Sequence, residues 1–389
     1  MERAMMYRRA RSIAALAALP ALSFLSACGG ADQPPLAPLT ETAKAAVTDK
    51  AGAPRDELTR EIDDLFSKPG LGETRAVLVM IDGQIAAERY SEGYDADTRF
   101  VSWSMAKTIT AVAVGLLVAD GRLSLDAPAP VAMWQRPGDP RAEITLEHLL
   151  QMRSGLDHTE AGDPPYNSSE VRMLFLDGRG DMARWAKEQP LEAEPGERYE
   201  YSSNTTVILA DIVARALTDS EDAETRRAAV ASFLQERLFG PLSMTSMVPE
   251  FDASGTLIGG SLMHATARDY AKFGEFLRAG GQAPSGEQLV PSGWIERMLT
   301  PSPKSQFYGF QTWLNRPDAG RLEGEGHPLF PDRAPASLFA MIGHMGQYVL
   351  VSPEQKVTLV RLGHSTAAER PPMLQEAADV IALYPLSGE

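Results

Sequence analysis

Two side chains at the start of an apolar segment are candidates for a nucleophile and its base. In "SWSMAKTITAVAVGLLVA", Ser104 and Lys107 are three residues apart, and the apolar residues that follow predict a buried helix. Positions i and i+3 lie on one face of a helix, so the hydroxyl and the amine would be neighbours. We expect Ser102 to be the N-cap, which would place Ser104 in the first turn, where the helix dipole favours developing negative charge.

Burial of Lys107 with this helix would favour its neutral amine, because a charged group loses its hydration when it leaves water. Lowering the pKa of a lysine from ~10.4 to ~7.5 requires about 4 kcal/mol. A lysine altered in this way can take the proton of a serine, so the spacing predicts activation of Ser104 as a nucleophile. The same spacing also fits a capped helix whose lysine reaches solvent, and the spacing alone does not decide between them.

A tyrosine and two serines precede a second apolar helix. In "YSSNTTVILADIV", Tyr201 comes first, and Ser203 and Asn204 stand at the expected start of the helix. Tyr201 could exchange a proton with Ser104 or Lys107 if the fold brings the two segments together. The alternative is structural, with a core tyrosine followed by Ser203 or Asn204 as the N-cap.

A histidine between glycines lies in a β-rich segment near the end of the chain. In "MIGHMGQYVLVSP", Gly343 and Gly346 on either side of His344 would permit close approach of a ligand to the backbone. The backbone N–H of Gln347, just beyond Gly346, is a candidate donor to an oxyanion. We therefore predict a substrate and oxyanion site at His344, Gly346 and Gln347.

Strand patterns lie at both ends of the chain, and helical patterns fill the middle. Two β-favouring runs flank Asp82 and Gly83, a typical hairpin turn, and further strands are predicted after residue 307. The sequence shows no regular alternation of strands and helices, which argues against a doubly wound parallel sheet. The pattern predicts a mixed α/β (α+β) fold.

Composition and the remaining motifs exclude several classes of function. The chain has 389 residues and a net charge of −15, so no basic surface for nucleic acid is expected. The sequence contains no G-x-S-x-G, no H-E-x-x-H and no phosphate-binding glycine loop. We expect a small-molecule substrate, and neither a metal nor a cofactor. Oligomeric state is not predicted.

The N-terminal segment has the pattern of a secretory signal. Basic residues up to Arg11 precede an apolar run that ends in "LSAC" at Cys28, the only cysteine of the chain. This ending resembles the lipobox of bacterial lipoproteins, in which the cysteine is lipidated. We expect a signal peptide over residues 1–27 and a disordered tether over residues 28–55. The protein would then face the periplasm or the cell surface, anchored by its lipid alone; an ordinary signal peptide is the alternative.

Three short motifs resemble those of the serine β-lactamase and penicillin-binding superfamily. "SMAK", "YSS" and "HMG" match its S-x-x-K, its tyrosine motif and its terminal K-T-G or H-x-G, in the same order, across about residues 56 to 385. The chain looks most like the 6-aminohexanoate-dimer (nylon-oligomer) hydrolases and related esterases. The resemblance implies an antiparallel sheet flanked by terminal helices within residues 56–389, with an all-helical subdomain inserted at about residues 125–275.

The resemblance also implies a role for each motif. Ser104 would be the nucleophile, Lys107 and Tyr201 its proton-transfer pair, and His344 would stand where the superfamily commonly has a lysine. Ser203 matches a serine of the nylon-oligomer hydrolases. Class C β-lactamases have an asparagine at that place, and Asn204 comes one residue too late to match it.

The implied reaction is cleavage of an amide or ester through an acyl-enzyme on Ser104. A β-lactamase or D-alanyl-D-alanine carboxypeptidase is one alternative, and an inactive binding lipoprotein is another. His344 is mostly neutral at pH 7, so we expect uncharged acyl substrates to be preferred over penicillins, whose carboxylate favours a fixed positive charge. Arg361 could restore that charge if it reaches the cleft.

Overall fold

A six-stranded antiparallel sheet forms the centre of the protein. The computed structural model describes residues 38–316, 329–330 and 333–386. Neighbouring strands follow the order β2-β1-β9-β8-β7-β6, so the sheet joins the two ends of the chain. Its strands are β1 (Glu73–Ile81), β2 (Gln84–Tyr90), β6 (Trp313–Leu314), β7 (Phe339–Gly343), β8 (Gln347–Ser352) and β9 (Val357–His364).

The predicted hairpin between β1 and β2 is present. Asp82 and Gly83 have φ angles of 48° and 77°, as a two-residue turn between twisted antiparallel strands requires. The sheet is covered on both faces. Helices α2 (Arg55–Ser67) and α11 (Arg370–Ala382) pack on one face, and α9 (Ala267–Arg278) packs on the other.

Successive buried residues of β1, β7 and β8 alternate between two cores, as a sheet with two buried faces demands. Val77 lies in the core beneath α2 and α11, and the next residue, Leu78, lies in the core beneath α9. Close packing of α9 depends on Gly274, where a Cβ would come within 2.6 Å of the Thr358 side chain. The predicted mixed fold, with terminal helices on an antiparallel sheet, is confirmed.

Helices dominate the middle of the chain and surround the segment that follows Ser104. Residues 106 to 117 of α3 (Ala106–Ala119) are all buried, as the apolar sequence predicts, and α3 packs directly on α7 (Ser203–Leu217). Gly115 lets α3 approach Trp294, whose indole would lie 2.3 Å from an added Cβ. The further helices are α3 (Ala106–Ala119), α4 (Leu146–Leu150), α5 (Ser169–Phe175), α6 (Met182–Glu188), α7 (Ser203–Leu217), α8 (Ala223–Leu234) and α10 (Ser292–Met298).

The inserted region is not all helical, and this prediction is wrong in two respects. A second sheet joins β3 (Phe100–Val101), β5 (Met263–Ala265) and β4 (Val248–Pro249) in the order β3-β5-β4. In addition, α9 packs on the large sheet, although the predicted subdomain included it. Strands of two or three residues are too short to produce a period-two pattern, so the sequence did not reveal them.

The folded chain begins before the predicted boundary at residue 56. Helix α1 (Glu41–Ala45) buries Ala43, and the amide of Thr48 donates to Ala86 O at 2.9 Å on β2. The tether prediction is therefore wrong for residues 39–54. Small apolar side chains here bury against β2, a contact that local composition does not reveal. The predicted signal peptide and Cys28 lie outside the described residues, among which no helix combines the length and apolarity needed to span a bilayer.

Candidate active site

Ser104 lies in a tight turn immediately before α3. Trp103–Met105 form a single 3₁₀ turn, and Trp103 has a φ of 45°, an uncommon backbone conformation for a side chain of this size. Ser102 stands at the N-cap position of this turn, as predicted, but its side chain makes no capping hydrogen bond. Its hydroxyl instead accepts from the amide of Met263 at 3.1 Å and donates to Trp103 O at 2.9 Å, which ties the turn to β5. Ser104 is thereby held at a cavity wall.

Lys107 is buried directly behind Ser104. Its side chain is 1% exposed, and its Nζ donates to Ser104 Oγ at 2.9 Å. The same nitrogen donates to Ser203 Oγ at 2.8 Å and to Gly260 O at 2.9 Å. All three ammonium protons thus have acceptors, which makes a charged lysine tolerable at this depth.

Tyr201 completes the group that was anticipated from the sequence. Its phenol interacts with Ser104 and Lys107, both of which lower its pKa against the larger effect of burial, and Lys107 Nζ lies 4.8 Å from the centre of its ring. The ring is fixed by Tyr308 and Trp313, whose centroids lie 5.6 Å and 5.2 Å away. A proton released by Ser104 can therefore reach either member of the Lys107–Tyr201 pair directly.

The charge state of the pair differs from the sequence-based expectation. Burial by itself would lower the pKa of Lys107, but the Coulombic effects of Tyr201, Glu160 and Glu170 outweigh it and raise that pKa. Burial also raises the pKa of the Tyr201 phenol, and Lys107 offsets this only in part. The lowered lysine pKa that burial alone suggested is therefore wrong, because carboxylates that the sequence argument had not considered lie nearby. The resting site holds an ammonium and a neutral phenol.

Glu160 is a site residue that the sequence reasoning missed. Its Oε1 lies 3.7 Å from Lys107 Nζ and accepts from Ser203 Oγ at 2.7 Å, while Oε2 accepts from the Ser203 amide at 2.6 Å. That amide is at the start of α7, where the helix dipole also favours an anion. Glu160 comes from an irregular segment without periodicity, so no local signal indicated it.

Glu170, on α5, is a second carboxyl group at the same cavity. Burial, together with the charge of Glu160, raises the pKa of Glu170 to about 7, and Lys107 acts in the opposite direction. The carboxyl of Glu170 therefore holds its proton to a higher pH than an ordinary glutamate does. Lys107 is thus the centre of a cluster whose net charge depends on pH.

Ser203 and Asn204 have different roles. Ser203 contacts Lys107 and Glu160, whereas the N-cap of α7 is Ser202, whose Oγ accepts from the amides of Asn204 and Thr205. The side-chain amide of Asn204 donates to Ser169 O at 3.3 Å, buried between α5 and α7. Asn204 therefore connects two helices and does not line the cavity.

The strand motif contributes a different stretch of backbone from the one predicted. Ile342, Gly343 and His344 line the cavity, and a Cβ on Gly343 would be 2.3 Å from Ser102 O. Gly343 is thus the glycine that lets β7 approach the serine turn. His344 stacks edge-on against Trp103 at 5.4 Å. Burial and the charge of Arg370 lower the pKa of His344, so it is neutral at pH 7.

Gly346 and Gln347 are not part of this wall. The chain turns back after Gly343 to begin β8, and Gly346 adopts a φ of 84° in that turn. The Gln347 side chain is buried beneath the turn and donates to Gly363 O at 2.7 Å. Neither residue lines the cavity, although Gln347 pairs with Gly343, which does, and the oxyanion role predicted for them stays a prediction.

Arg361 is neither in the cleft nor in solvent. It is fully buried, and its guanidinium donates to Gly346 O at 2.8 Å and to Ser365 Oγ at 2.9 Å. Burial lowers the pKa of Arg361 to about 10. The positive charge at the cavity comes instead from Arg370, at the start of α11, which the sequence reasoning missed.

The cavity that these residues surround has a volume of about 560 Å³. Aromatic and aliphatic side chains form most of its wall, including Trp103, Phe175 and Trp313. Charged groups are segregated, with Glu160 and Glu170 among the helical elements and Arg370 beside the strand motif. Such a cavity suits a small substrate that is largely apolar with a polar centre.

One carboxylate cluster in the described part of the chain has the spacing of a metal site. Glu61, Glu376 and Asp379 offer oxygen atoms within 4.8 Å of one another on α2 and α11. Lys68 pairs with Glu376, and Arg333 pairs with Asp379, so cations of the protein already balance much of this charge. The cluster is not among the residues that line the cavity.

Comparison with known proteins supports the same superfamily. The sequence model of the Beta-lactamase family matches residues 67–383. The 6-aminohexanoate-dimer hydrolase of Paenarthrobacter ureafaciens is 25% identical over 299 residues, which cover 70% of this chain and 72% of that protein. Esterase EstB of Burkholderia gladioli is 35% identical over 132 residues, 31% of this chain and 33% of EstB.

Solved structures show the same fold. A putative 6-aminohexanoate-dimer hydrolase from Bacillus anthracis superposes with a TM-score of 0.62 at 21% sequence identity, covering 88% of this chain and 86% of its own. The predicted superfamily and fold class are therefore confirmed, whereas the residue roles stay predictions.

Proposed function

The chain belongs to the Beta-lactamase family and is a hydrolase, and we propose that it cleaves esters or amides through an acyl-enzyme on Ser104. The observation that carries the proposal is the 2.9 Å hydrogen bond from Lys107 Nζ to Ser104 Oγ at the wall of the cavity. Tyr201 contacts both atoms. The names of the relatives, an amide hydrolase and an esterase, support the same class of substrate.

In the proposed reaction, Ser104 Oγ attacks the substrate carbonyl and its proton passes to the Lys107–Tyr201 pair. The oxyanion that forms is held by the backbone amides of Ser104 and His344, because Gly343 and His344 are the strand-motif backbone at the cavity. One such donor contributes about 3 kcal/mol. As the C–O or C–N bond breaks, Tyr201 returns the proton to the leaving group. A water molecule then cleaves the acyl-enzyme with the same groups in reverse order.

The experiment that tests this function is covalent labelling with a fluorophosphonate. The wild-type protein should form an adduct, and mass spectrometry should locate it on Ser104. Ser104→Ala should abolish labelling and lower kcat for p-nitrophenyl butyrate by about a thousandfold or more. Unchanged thermal unfolding would serve as the control for folding. An adduct on Ser203, or activity that survives Ser104→Ala, would refute the assignment; an unlabelled wild-type protein would favour the inactive binding protein.

A β-lactamase or D-alanyl-D-alanine carboxypeptidase is the second candidate, and one observation favours it. Arg370 lines the cavity beside His344 and offers a fixed positive charge that could bind the carboxylate of such substrates. The neutral His344 argues for uncharged acyl groups. Comparing kcat/KM for nitrocefin and the butyrate ester at pH 7 separates the two, and we expect the ester to be the better substrate.

We also propose that the protein is a lipoprotein attached through Cys28. The support is the sequence alone, namely the basic start, the apolar run and "LSAC". Globomycin, which blocks lipoprotein signal peptidase, should cause a precursor to accumulate in the source bacterium. Normal processing in its presence would mean that Cys28 is not lipidated, and replacement of Cys28 by Ser provides the matched control.

A further inference from the structure

The proposed reaction requires a base, yet the resting pair has no free lone pair of suitable basicity. The pKa values of Lys107 and Tyr201 are both raised, so the lysine carries its proton and the phenol is neutral. One proton must leave the pair before Ser104 can transfer its own. A nearby acceptor atom is therefore required for this proton.

A continuous chain of hydrogen bonds leads away from Lys107. Its Nζ donates to Ser203 Oγ at 2.8 Å, and Ser203 Oγ donates to Glu160 Oε1 at 2.7 Å. Both bonds point in the same direction, from the ammonium to the carboxylate. The ammonium and the carboxylate are 3.7 Å apart, and the serine hydroxyl joins them. Each transfer therefore joins two atoms already in contact.

We propose that substrate binding drives a proton from Lys107 through Ser203 to Glu160, leaving Lys107 as the neutral amine that accepts the proton of Ser104. This proposal rests on the acyl-enzyme mechanism above. Lys107 Nζ passes a proton to Ser203 Oγ, and the original hydroxyl proton of Ser203 moves to Glu160 Oε1. The amine then rotates about its Cε–Nζ bond and takes the Ser104 proton as the Oγ–C bond forms. Ser203 and Glu160 act here as positioning residues.

The trigger is loss of solvent from the cavity. The side chain of Glu160 lines the cavity and is 23% exposed, whereas that of Lys107 is 1% exposed. A substrate in the cavity would cover the carboxylate and remove its remaining water. Desolvation costs an ion pair much more free energy than it costs a neutral acid and amine. Product release would readmit water and return the proton to Lys107.

Several groups facing Glu160 set the balance of this transfer. Lys107 and the start of α7 place positive charge next to the carboxylate, and several acids and phenols lie within electrostatic range of it. The groups that interact electrostatically with Glu160 are Lys107, Glu170, Glu200, Tyr201, Tyr308 and His344. The carboxylate thus has acidic neighbours as well as a cationic one.

Kinetics of three variants test the chain of bonds. Ser203→Ala interrupts it while keeping both charges, and should lower kcat for the butyrate ester by about 100-fold with little change in KM. Ser203→Thr keeps a hydroxyl and should retain most of the activity. Glu188→Gln removes a surface carboxylate that pairs with Arg184 away from the cavity, and is the control, with kcat within about twofold. Equal activity of the Ala and Thr variants would overturn the proposal.

Glu160→Gln tests whether Glu160 accepts a proton or only stabilises the positive charge of Lys107. If Glu160 only stabilised the ammonium, its replacement would lower the pKa of Lys107, provide more free amine and raise kcat at pH 7. The proposed transfer instead predicts about a 100-fold loss at pH 7 that diminishes as the pH rises and solvent takes the lysine proton. A gain at pH 7, or a loss that is the same at every pH, would contradict the transfer.

Infrared difference spectroscopy gives a readout that does not depend on turnover. Ser104→Ala mixed with an ester ¹³C-labelled at its carbonyl should show a new protonated-carboxyl band on binding. The band should vanish in Ser104→Ala/Glu160→Gln and persist in Ser104→Ala/Glu170→Gln. No band, or a band lost only with Glu170, would overturn the proposal. If the wild-type protein neither reacts with fluorophosphonate nor cleaves the ester, the acyl-enzyme function has failed instead.

Discussion

The described structure buries two lysines beside carboxylates, and the two regions differ in ways that separate stability from chemistry. Lys187 Nζ contacts Asp211 Oδ2 directly at 2.7 Å, and both side chains are less than a tenth exposed. Lys107 and Glu160 are 3.7 Å apart, with Ser203 Oγ bonded to both, and one side of Glu160 faces the cavity. A lysine and a carboxylate thus form a direct, buried ion pair at Lys187 and a hydroxyl-bridged pair open to the cavity at Lys107.

Two arginines add to the ion pair of Lys187 and Asp211. Arg226 donates to Asp211 Oδ1 at 2.5 Å, and Arg215 donates to Asp211 Oδ2 at 3.0 Å. These contacts join α6, α7 and α8 around one carboxylate. In the described part of the chain, no hydroxyl lies between Lys187 and Asp211, and neither residue lines the cavity at Ser104. The difference teaches that an intervening hydroxyl and access to a ligand, rather than burial, distinguish a reactive lysine from a structural one.

The largest effects should follow from removing each lysine in turn. Lys107→Ala should lower kcat by about 100-fold or more, because the proton of Ser104 loses its acceptor. Lys187→Ala should leave kcat within a few-fold but lower the free energy of unfolding by about 3 kcal/mol, because Asp211 loses a buried partner. Ester hydrolysis and urea unfolding of both variants provide the measurement. Equal losses of kcat in the two variants would contradict the distinction between a reactive Lys107 and a structural Lys187.

Coupling to Tyr201 is the next test, because Lys107 has a phenol partner and Lys187 does not contact one in the described structure. Tyr201→Phe should also lower kcat by about 100-fold. Combined with Lys107→Ala, it should add little further loss, since the two side chains handle the same proton. Combined with Lys187→Ala as the control, the losses in kcat should be independent. If the losses of Lys107→Ala and Tyr201→Phe, expressed as activation free energies, simply add in the double variant, the two side chains have separate roles.

A smaller effect is expected from the positive charge across the cavity. Arg370→Ala should lower kcat/KM for anionic substrates such as nitrocefin by about tenfold, the value of one charge-assisted contact. The loss for the neutral butyrate ester should be smaller, because that ester has no group for the guanidinium to bind. Arg333→Ala, which removes a cation paired with Asp379, is the control. Identical losses for both substrates would place Arg370 in a structural role.

The two carboxylate regions should also depend on pH in opposite senses. The pKa of Glu170 is raised from 4.5 to about 7, so the folded chain holds more protons than the unfolded chain in that interval. The free energy of unfolding therefore falls as the pH rises through it, by at most about 3 kcal/mol. The cations around Asp211 outweigh burial and lower its pKa, so its contribution is present at neutral pH and is lost as the pH falls.

Urea unfolding at pH 5 and pH 7 measures this dependence. Glu170→Gln should remove part of the decrease in stability between these values, and Glu188→Gln, which pairs with Arg184 at the surface, should not. A decrease that is unchanged in Glu170→Gln would mean that another group titrates in this range.

Local patterns in the sequence predicted much of the fold. The hairpin at Asp82 and Gly83, the buried helix after Ser104 and the closing helix that begins near Pro371 all appear at the expected places. Each depends on interactions within a few residues, which the periodicity of apolar side chains and the turn residues record. Residues 39–54 and the three-stranded sheet were not anticipated, because their stability comes from contacts with distant segments.

The sequence by itself determined that Ser104 and Lys107 would be neighbours at the start of a buried helix, because three-residue spacing and an apolar run are local properties. Only the tertiary structure decided the charge of Lys107, since that depends on Glu160 and Glu170 from irregular and helical segments further along the chain. It also decided that His344 and Arg370, rather than Gln347 and Arg361, face the cavity. The direction of a side chain at the end of a strand is set by the conformation of the turn that follows and by the neighbouring strands. A local sequence pattern records neither of these.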